Sequence, residues 1–244
     1  MFKIIVWMRN LLRPKHKRVE THYKEGPSPS IKMLDVEPDI SRERRPVNIG
    51  IDFGTSSTKV IFRDIHFGRS HILFFDHGLT GYPSFVLPSS VAVSQGQLYF
   101  GERAERLEAG SRILRSFKVC MACQSGLVEC RGCEPTLLQP PNPRPGWFMF
   151  STEAGTRAHL SACQLGTLYL AYVIRLARRS VIQHISGNHD LHFTYNMGVP
   201  IDHLEDSPTK EAFARSLFLA EKLADTIDQG FPFMEALNLY NRQD

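Results

Sequence analysis

The chain has 244 residues, of which 42% are hydrophobic, and a formal net charge of +4. That is enough apolar material for a substantial core, which excludes a disordered or purely low-complexity protein. The charge is concentrated at one end: residues 1–20 carry Lys3, Arg9, Arg13, Lys15, Lys17 and Arg18 against Glu20, a net +5, which leaves the rest at −1 and gives no nucleic-acid footprint in the body.

The leader MFKIIVWMRNLLRPKHKR is apolar but broken by Lys3 and Arg9, and no small-residue cleavage site follows, so it does not read as a signal peptide. Two readings stay open for it. It is either a frayed basic terminus or a short amphipathic helix making peripheral membrane contact, with Phe2, Ile5, Trp7 and Leu11 inserted. Residues 1–46 as a whole, with GPSPS and RERRP, read as a basic leader and flexible linker. No uncharged apolar run reaches about 18 residues, so a membrane span is not expected. The expected location is cytoplasmic.

In NIGIDFGTSSTKVIFRD, residues 48–64, apolar residues alternate into a small-residue turn and out of it again, which predicts paired strands. A third strand is expected at residues 71–75. In SSVAVSQGQLYFG, Gln95-Gly96 separates two β-rich runs and predicts a hairpin. GERAERLEAGSRILRSF, residues 101–117, reads as a polar helix. Further on come a long buried helix over residues 158–179, in which Gln164 interrupts the apolar run, and a strand over 192–200. Ser207-Pro208 reads as a helix start, as cap and first helical residue. That helix places Phe213, Leu217, Ala220, Ala224 and Ile227 on one face. The resulting fold class is α/β: three antiparallel strands, an insert, then α-β-α.

The insert, residues 119–146, holds CMACQSGLVECRGC and a proline-rich loop, QPPNPRPG, beside which Trp147 and Phe148 read as a packing anchor. Cys120, Cys123, Cys130 and Cys133 form two CxxC pairs, and four thiolates at this spacing suit tetrahedral Zn²⁺. A disulfide or redox-active set is the alternative. Cys163, on the apolar helix, reads as a core residue. His189, Asp190 and His192 read as a solvated turn, and His66, His71 and His77 lack ligand spacing.

Chemistry concentrates in GIDFGTSS. Gly54 permits close backbone approach, and the hydroxyls of Thr55, Ser56 and Ser57 are donors suited to phosphate oxygens. Asp52 beside an anion calls for a cation between them, and hydrated Mg²⁺ suits a site with few carboxylates. An ordinary hairpin rich in Ser and Thr is the competing reading. It is not a Walker A loop, because Lys59 lacks the preceding glycine of that motif and is followed by strand-type residues.

IGIDFGTSSTKVI resembles the first phosphate motif of the superfamily that joins actin, the seventy-kilodalton heat-shock chaperones and the sugar kinases. YPSFVLPSSVAV, YFGERAERL, ILRSFK and YNMGVPID resemble later segments of the heat-shock branch, so the resemblance spans residues 47–228. It implies a ribonuclease-H-like lobe over residues 47–244 that binds ATP or ADP, with Asp52 organising the waters of Mg²⁺ and Gly54, Thr55, Ser56 and Ser57 at the phosphates. It makes Lys118 a catalytic lysine that orients the attacking water, although the arginine that usually follows that lysine is Val119 here. A protein partner or client is implied as well. Because no second phosphate motif or adenosine motif follows, the sequence reads as one half of a two-lobed ATPase, with little turnover expected from it alone. The alternatives are a sugar or small-metabolite kinase and a non-catalytic zinc-containing interaction module.

Overall fold

A computed structural model describes residues 44–75, 78–107, 112–123, 147–151, 157–185, 189–198 and 207–243. All of them belong to the unit Glu43–Asp244.

The first sheet is built on β1 (Arg44–Phe53), β2 (Ser57–Asp64) and β3 (Arg69–Ile72), an antiparallel meander in which β2 also pairs with the short β4 (Leu87–Pro88). Period-two alternation decides which face is core. Val47, Ile49, Ile51 and Phe53 of β1 and Thr58, Val60, Phe62 and Asp64 of β2 are all buried, while their neighbours point the other way. The third strand ends at Ile72 rather than running over residues 71–75, and β1 begins at Arg44, ahead of the expected boundary at Val47.

A second sheet follows, with β5 (Val91–Ser94) and β6 (Gln97–Phe100) joined by Gln95-Gly96. Both turn residues have positive φ, 48° and 68°, as the tightest hairpin turns require. The polar helix expected over residues 101–117 is replaced by something else: a four-residue helix α1 (Glu102–Glu105), then β7 (Arg112–Leu114) paired with β5, then α2 (Phe117–Cys123). Leu114 and Phe117 are buried, so tertiary burial of these two residues overrides the local helical preference of the charged stretch.

After a two-stranded ribbon of β8 (Trp147–Ser151) and β9 (Arg157–Ser161), the chain enters α3 (Ala162–His184). The helix begins at Ala162 instead of residue 158 because Ser161 caps it. The Ser161 hydroxyl accepts from Gln164 N at 3.1 Å, and Gln164 Oε1 accepts from Ser161 N at 2.8 Å. Gln164, an interruption when read as part of an apolar run, is the reciprocal half of this cap. Cys163 packs against the core, its thiol pushed up to about 11 by burial.

β10 (Asp190–Met197) then returns parallel to β1, giving the order β10-β1-β2-β3. Asp190 and His192 are therefore strand residues, not a turn. The inward residues Phe193, Tyr195 and Met197 pair in register with Val47, Ile49 and Ile51. α4 (Ser207–Leu223) packs on α3, and the five residues expected on one helical face, Phe213, Leu217, Ala220, Ala224 and Ile227, are all buried, although the helix ends at Leu223 and the last two lie just beyond it. Arg178 ties the layers together: its Nε donates to Tyr195 Oη at 2.6 Å, and Nη1 lies 3.0 Å from both oxygens of Asp225. β11 (Phe231–Pro232) joins the edge of the second sheet at β6, and α5 (Phe233–Gln243) closes the described chain. No described helix is long and apolar enough to cross a membrane.

One ion pair lies inside this framework. Arg45 Nε donates to Asp64 Oδ2 at 3.1 Å, with side-chain exposures of 13% and 6%, so two charges depend on each other. Asp64 Oδ1 also accepts from His66 N at 3.0 Å and turns the chain toward β3. Arg45 holds the Asp64 carboxyl below the ordinary aspartate value. Its contribution to stability is thus complete above about pH 4 and is lost as pH falls through the lowered folded value. Asp64→Asn is expected to cost about 3 kcal/mol at pH 7 by urea denaturation. The gap from the parent protein should narrow at pH 2.5; an equal gap at both pH values would contradict the pairing.

Candidate functional site

The site lies at the carboxyl ends of the parallel strands β1 and β10, where open α/β sheets commonly present ligands. Gly198 N donates to Ile51 O at 3.2 Å, so the exit of β10 is fastened beside Asp52. The intervening turn is closed by Gly54 N donating to Ser57 O at 3.0 Å, and Ser89 N donates to Ser56 O at 3.0 Å. The chain after β4 therefore supports the turn from the side.

This geometry gives Gly54 a specific reason to be glycine. A Cβ there would stand 2.2 Å from the Ser57 carbonyl oxygen, a backbone atom that cannot step aside without opening the turn. The constraint comes from the turn itself, and the Gly54 amide is committed within it. Donors toward a ligand are then supplied by the hydroxyls: Ser56 is exposed, and Thr55 and Ser57 are half-buried.

Beneath the turn, Thr58 Oγ1 and Ser89 Oγ lie 2.9 Å apart in the core, and Tyr169 Oη donates to Pro88 O at 3.0 Å. Burial raises the Tyr169 phenol well above its ordinary value and keeps it a neutral donor. Sequence reasoning missed this floor of hydroxyls. Thr58 lies in β2, Ser89 just after β4 and Tyr169 in α3, so no short window of sequence contains them together.

Lys118 arrives from 65 positions along the chain, and its Nζ donates to the Phe53 carbonyl. Its neighbour Phe117 is buried against Phe53, ring centroids 5.9 Å apart, and Tyr169 of α3 stacks on Phe53 at 5.8 Å. Adjacent residues thus divide the work: Phe53 and Phe117 anchor the two elements, while Asp52, Gly54 and Lys118 face the site. The seating of α2 on α3 is close as well, since a Cβ on Gly166 would stand 2.3 Å from Met121 Sδ. Burial lowers the Lys118 pKa, and the charge of Asp52 acts against that shift. An ammonium that is partly desolvated and attracted to Asp52 is suited to an anion or a polarised water.

Asp52 is 70% exposed and pairs with Lys59 Nζ at 3.8 Å, directly across the hairpin. The structure thus brings Asp52, the turn and Lys118 together, and adds Lys59, which motif matching had set aside. Its position was readable by counting outward from the turn, which puts residues 52 and 59 opposite each other.

The cysteines behave differently. Cys120 lies in α2 and is buried with 1% exposure as part of the core, so the first residues of the expected insert are helix. Cys123 ends the same helix, and Cys130 and Cys133 lie outside the described residues. Among the described residues no group of three or more His, Cys, Asp or Glu could hold a metal ion.

Comparison with protein-family models gives no match, and comparison with curated proteins gives none either.

Gly54→Ala is expected to destabilise the protein by about 1–3 kcal/mol, as overpacking does. A neutral result in urea denaturation would contradict the close contact with Ser57.

Proposed function

We propose that this protein binds a nucleotide through its phosphates, as one lobe of an ATPase of the actin and heat-shock chaperone type. The observation that carries the reading is the meeting of Lys118 with the carboxyl end of β1. The resemblance requires a lysine beside the turn, and nothing in the spacing of residues 52–57 and 118 brings them together by itself. The sheet order gives further support: an antiparallel meander with a fourth strand parallel to β1 agrees with a ribonuclease-H-like lobe.

In this reading the hydroxyls of Thr55, Ser56 and Ser57 donate to phosphate oxygens, and Gly54 keeps the turn tight enough for them to converge. Lys118, partly desolvated and tethered to Phe53 O, contributes fixed positive charge and orients a water. Asp52, exposed at the rim and paired there with Lys59 across the hairpin, presents its carboxylate to the waters of a divalent cation. Bound Mg·ATP would supply the phosphoryl group and the compensating charge of the metal. The residues fit such a ligand: one accessible carboxylate, three hydroxyls and one half-buried ammonium around a turn too tight for a side chain at position 54. A protein client, whose affinity would follow nucleotide state, belongs to the same reading. Structural zinc rests on the cysteine spacing alone.

Calorimetric titration of Mg·ATP tests the proposal. Binding tighter than about 100 μM, roughly −5.5 kcal/mol, is expected, weakened at least about tenfold in Asp52→Ala or Lys118→Ala, the size expected for lost charge-assisted contacts. Absence of binding by the folded protein would overturn it.

A further inference from the structure

The register of the β1–β2 hairpin sets Lys59 directly opposite Asp52, with Nζ 3.8 Å from Oδ2. Both side chains leave the sheet on the face away from the core, because their neighbours Ile51, Phe53, Thr58 and Val60 are buried on the other. Lys118 feels the same carboxylate from a different element. Asp52 is therefore faced by two ammonium groups, one on its own hairpin and one on α2.

A carboxylate that organises a hydrated cation must offer its oxygens to that cation's waters. Lys59 reaches for the same oxygens, and an ammonium and a divalent cation at one carboxylate repel each other. We propose that Lys59 is the resident counter-ion of Asp52, holding the carboxylate when no divalent cation is bound and making phosphate binding less dependent on that cation. The inference rests on the phosphate reading of the turn. With Lys59 present, the negative charge of Asp52 beside a phosphate is already offset. Without it, Lys118 is left to offset Asp52, and more of the repulsion between carboxylate and phosphate is left for a divalent cation to cancel. Lys59 is in this sense a positioning residue that acts through Asp52.

Two measurements on the full chain test this, each on the parent protein, Lys59→Met and Lys59→Arg. The first is the calorimetric Kd for ADP in excess Mg²⁺ and in EDTA, taken as the ratio of the EDTA value to the Mg²⁺ value. The second is the affinity for Mn²⁺ alone, read from the spin-resonance signal of the free ion. Lys59→Met is expected to raise both the ratio and the Mn²⁺ affinity about fivefold, the upper end for an exposed ion pair. Lys59→Arg, which keeps the charge, should stay near the parent. If ADP binds and either quantity is unchanged in Lys59→Met, the counter-ion role is overturned while the phosphate reading stands. If Lys59→Arg behaves like Lys59→Met, charge is not the cause and the role is likewise overturned. If the parent binds no ADP in either buffer, the phosphate reading fails and the inference with it.

Discussion

The joint between Phe53, Phe117 and Tyr169 is the contact on which the site depends. Phe53 is the last residue of the central strand, Phe117 the first of a short helix and Tyr169 part of the central helix, and all three are fully or nearly fully buried. Aromatic rings at such separations add about 0.5–1.5 kcal/mol per pair beyond the burial of their area. The more important effect is geometric. Three elements that are far apart in the chain are fixed to one another at the point where β1 ends, so the residues immediately beside the anchors have little freedom. Lys118 follows Phe117, Asp52 precedes Phe53, and Gly54 follows it. Packing in the core thereby sets the position of charge at the surface.

The electrostatics of the region fall into two settings that behave differently. Arg45 and Asp64 form a pair that is nearly dry, where loss of one partner strands the other. Asp52, Lys59 and Lys118 form a wetter set at the opposite end of the same hairpin, where individual interactions are weak and exchangeable. The first arrangement suits structure and the second suits ligand exchange. Both follow from one alternation pattern: Asp64 shares the buried face of β2 with Thr58, Val60 and Phe62, whereas Lys59 lies on the exposed one.

Much of the scaffold was legible in the sequence because its signals are local. Alternation in residues 48–64, the Gln95-Gly96 turn and the apolar face of α4 each specify an element from within a short window; the first two formed as read, and α4 formed but ends at Leu223, short of Ala224 and Ile227. The start of α3 was equally local, since Ser161 and Gln164 form a capping box, but the apolar periodicity upstream masked it. The stretch 101–117 was misread because β7 depends on pairing with β5, and Leu114 and Phe117 are held by burial rather than by propensity. β11 and α5 went unread for a similar reason. β11 is two residues long and exists by pairing with β6, and Gln229 just before it bridges the Phe100 amide and carbonyl at 2.9 and 2.8 Å. At the site, hairpin register made Asp52 and Lys59 neighbours in principle, while the approach of Lys118 came only from resemblance. The hydroxyl floor of Thr58, Ser89 and Tyr169 needs the tertiary structure to be seen at all.

The central claim is that the turn after β1 meets phosphate. Titration of ADP with Mg²⁺ into the ¹⁵N-labelled protein, following amide shifts residue by residue, addresses it directly. The account predicts the largest changes at Gly54, Thr55, Ser56 and Ser57, with smaller ones at Lys118 and Gly198, which border the turn. Saturable shifts that leave these residues untouched, or no shifts at millimolar ligand, would contradict it.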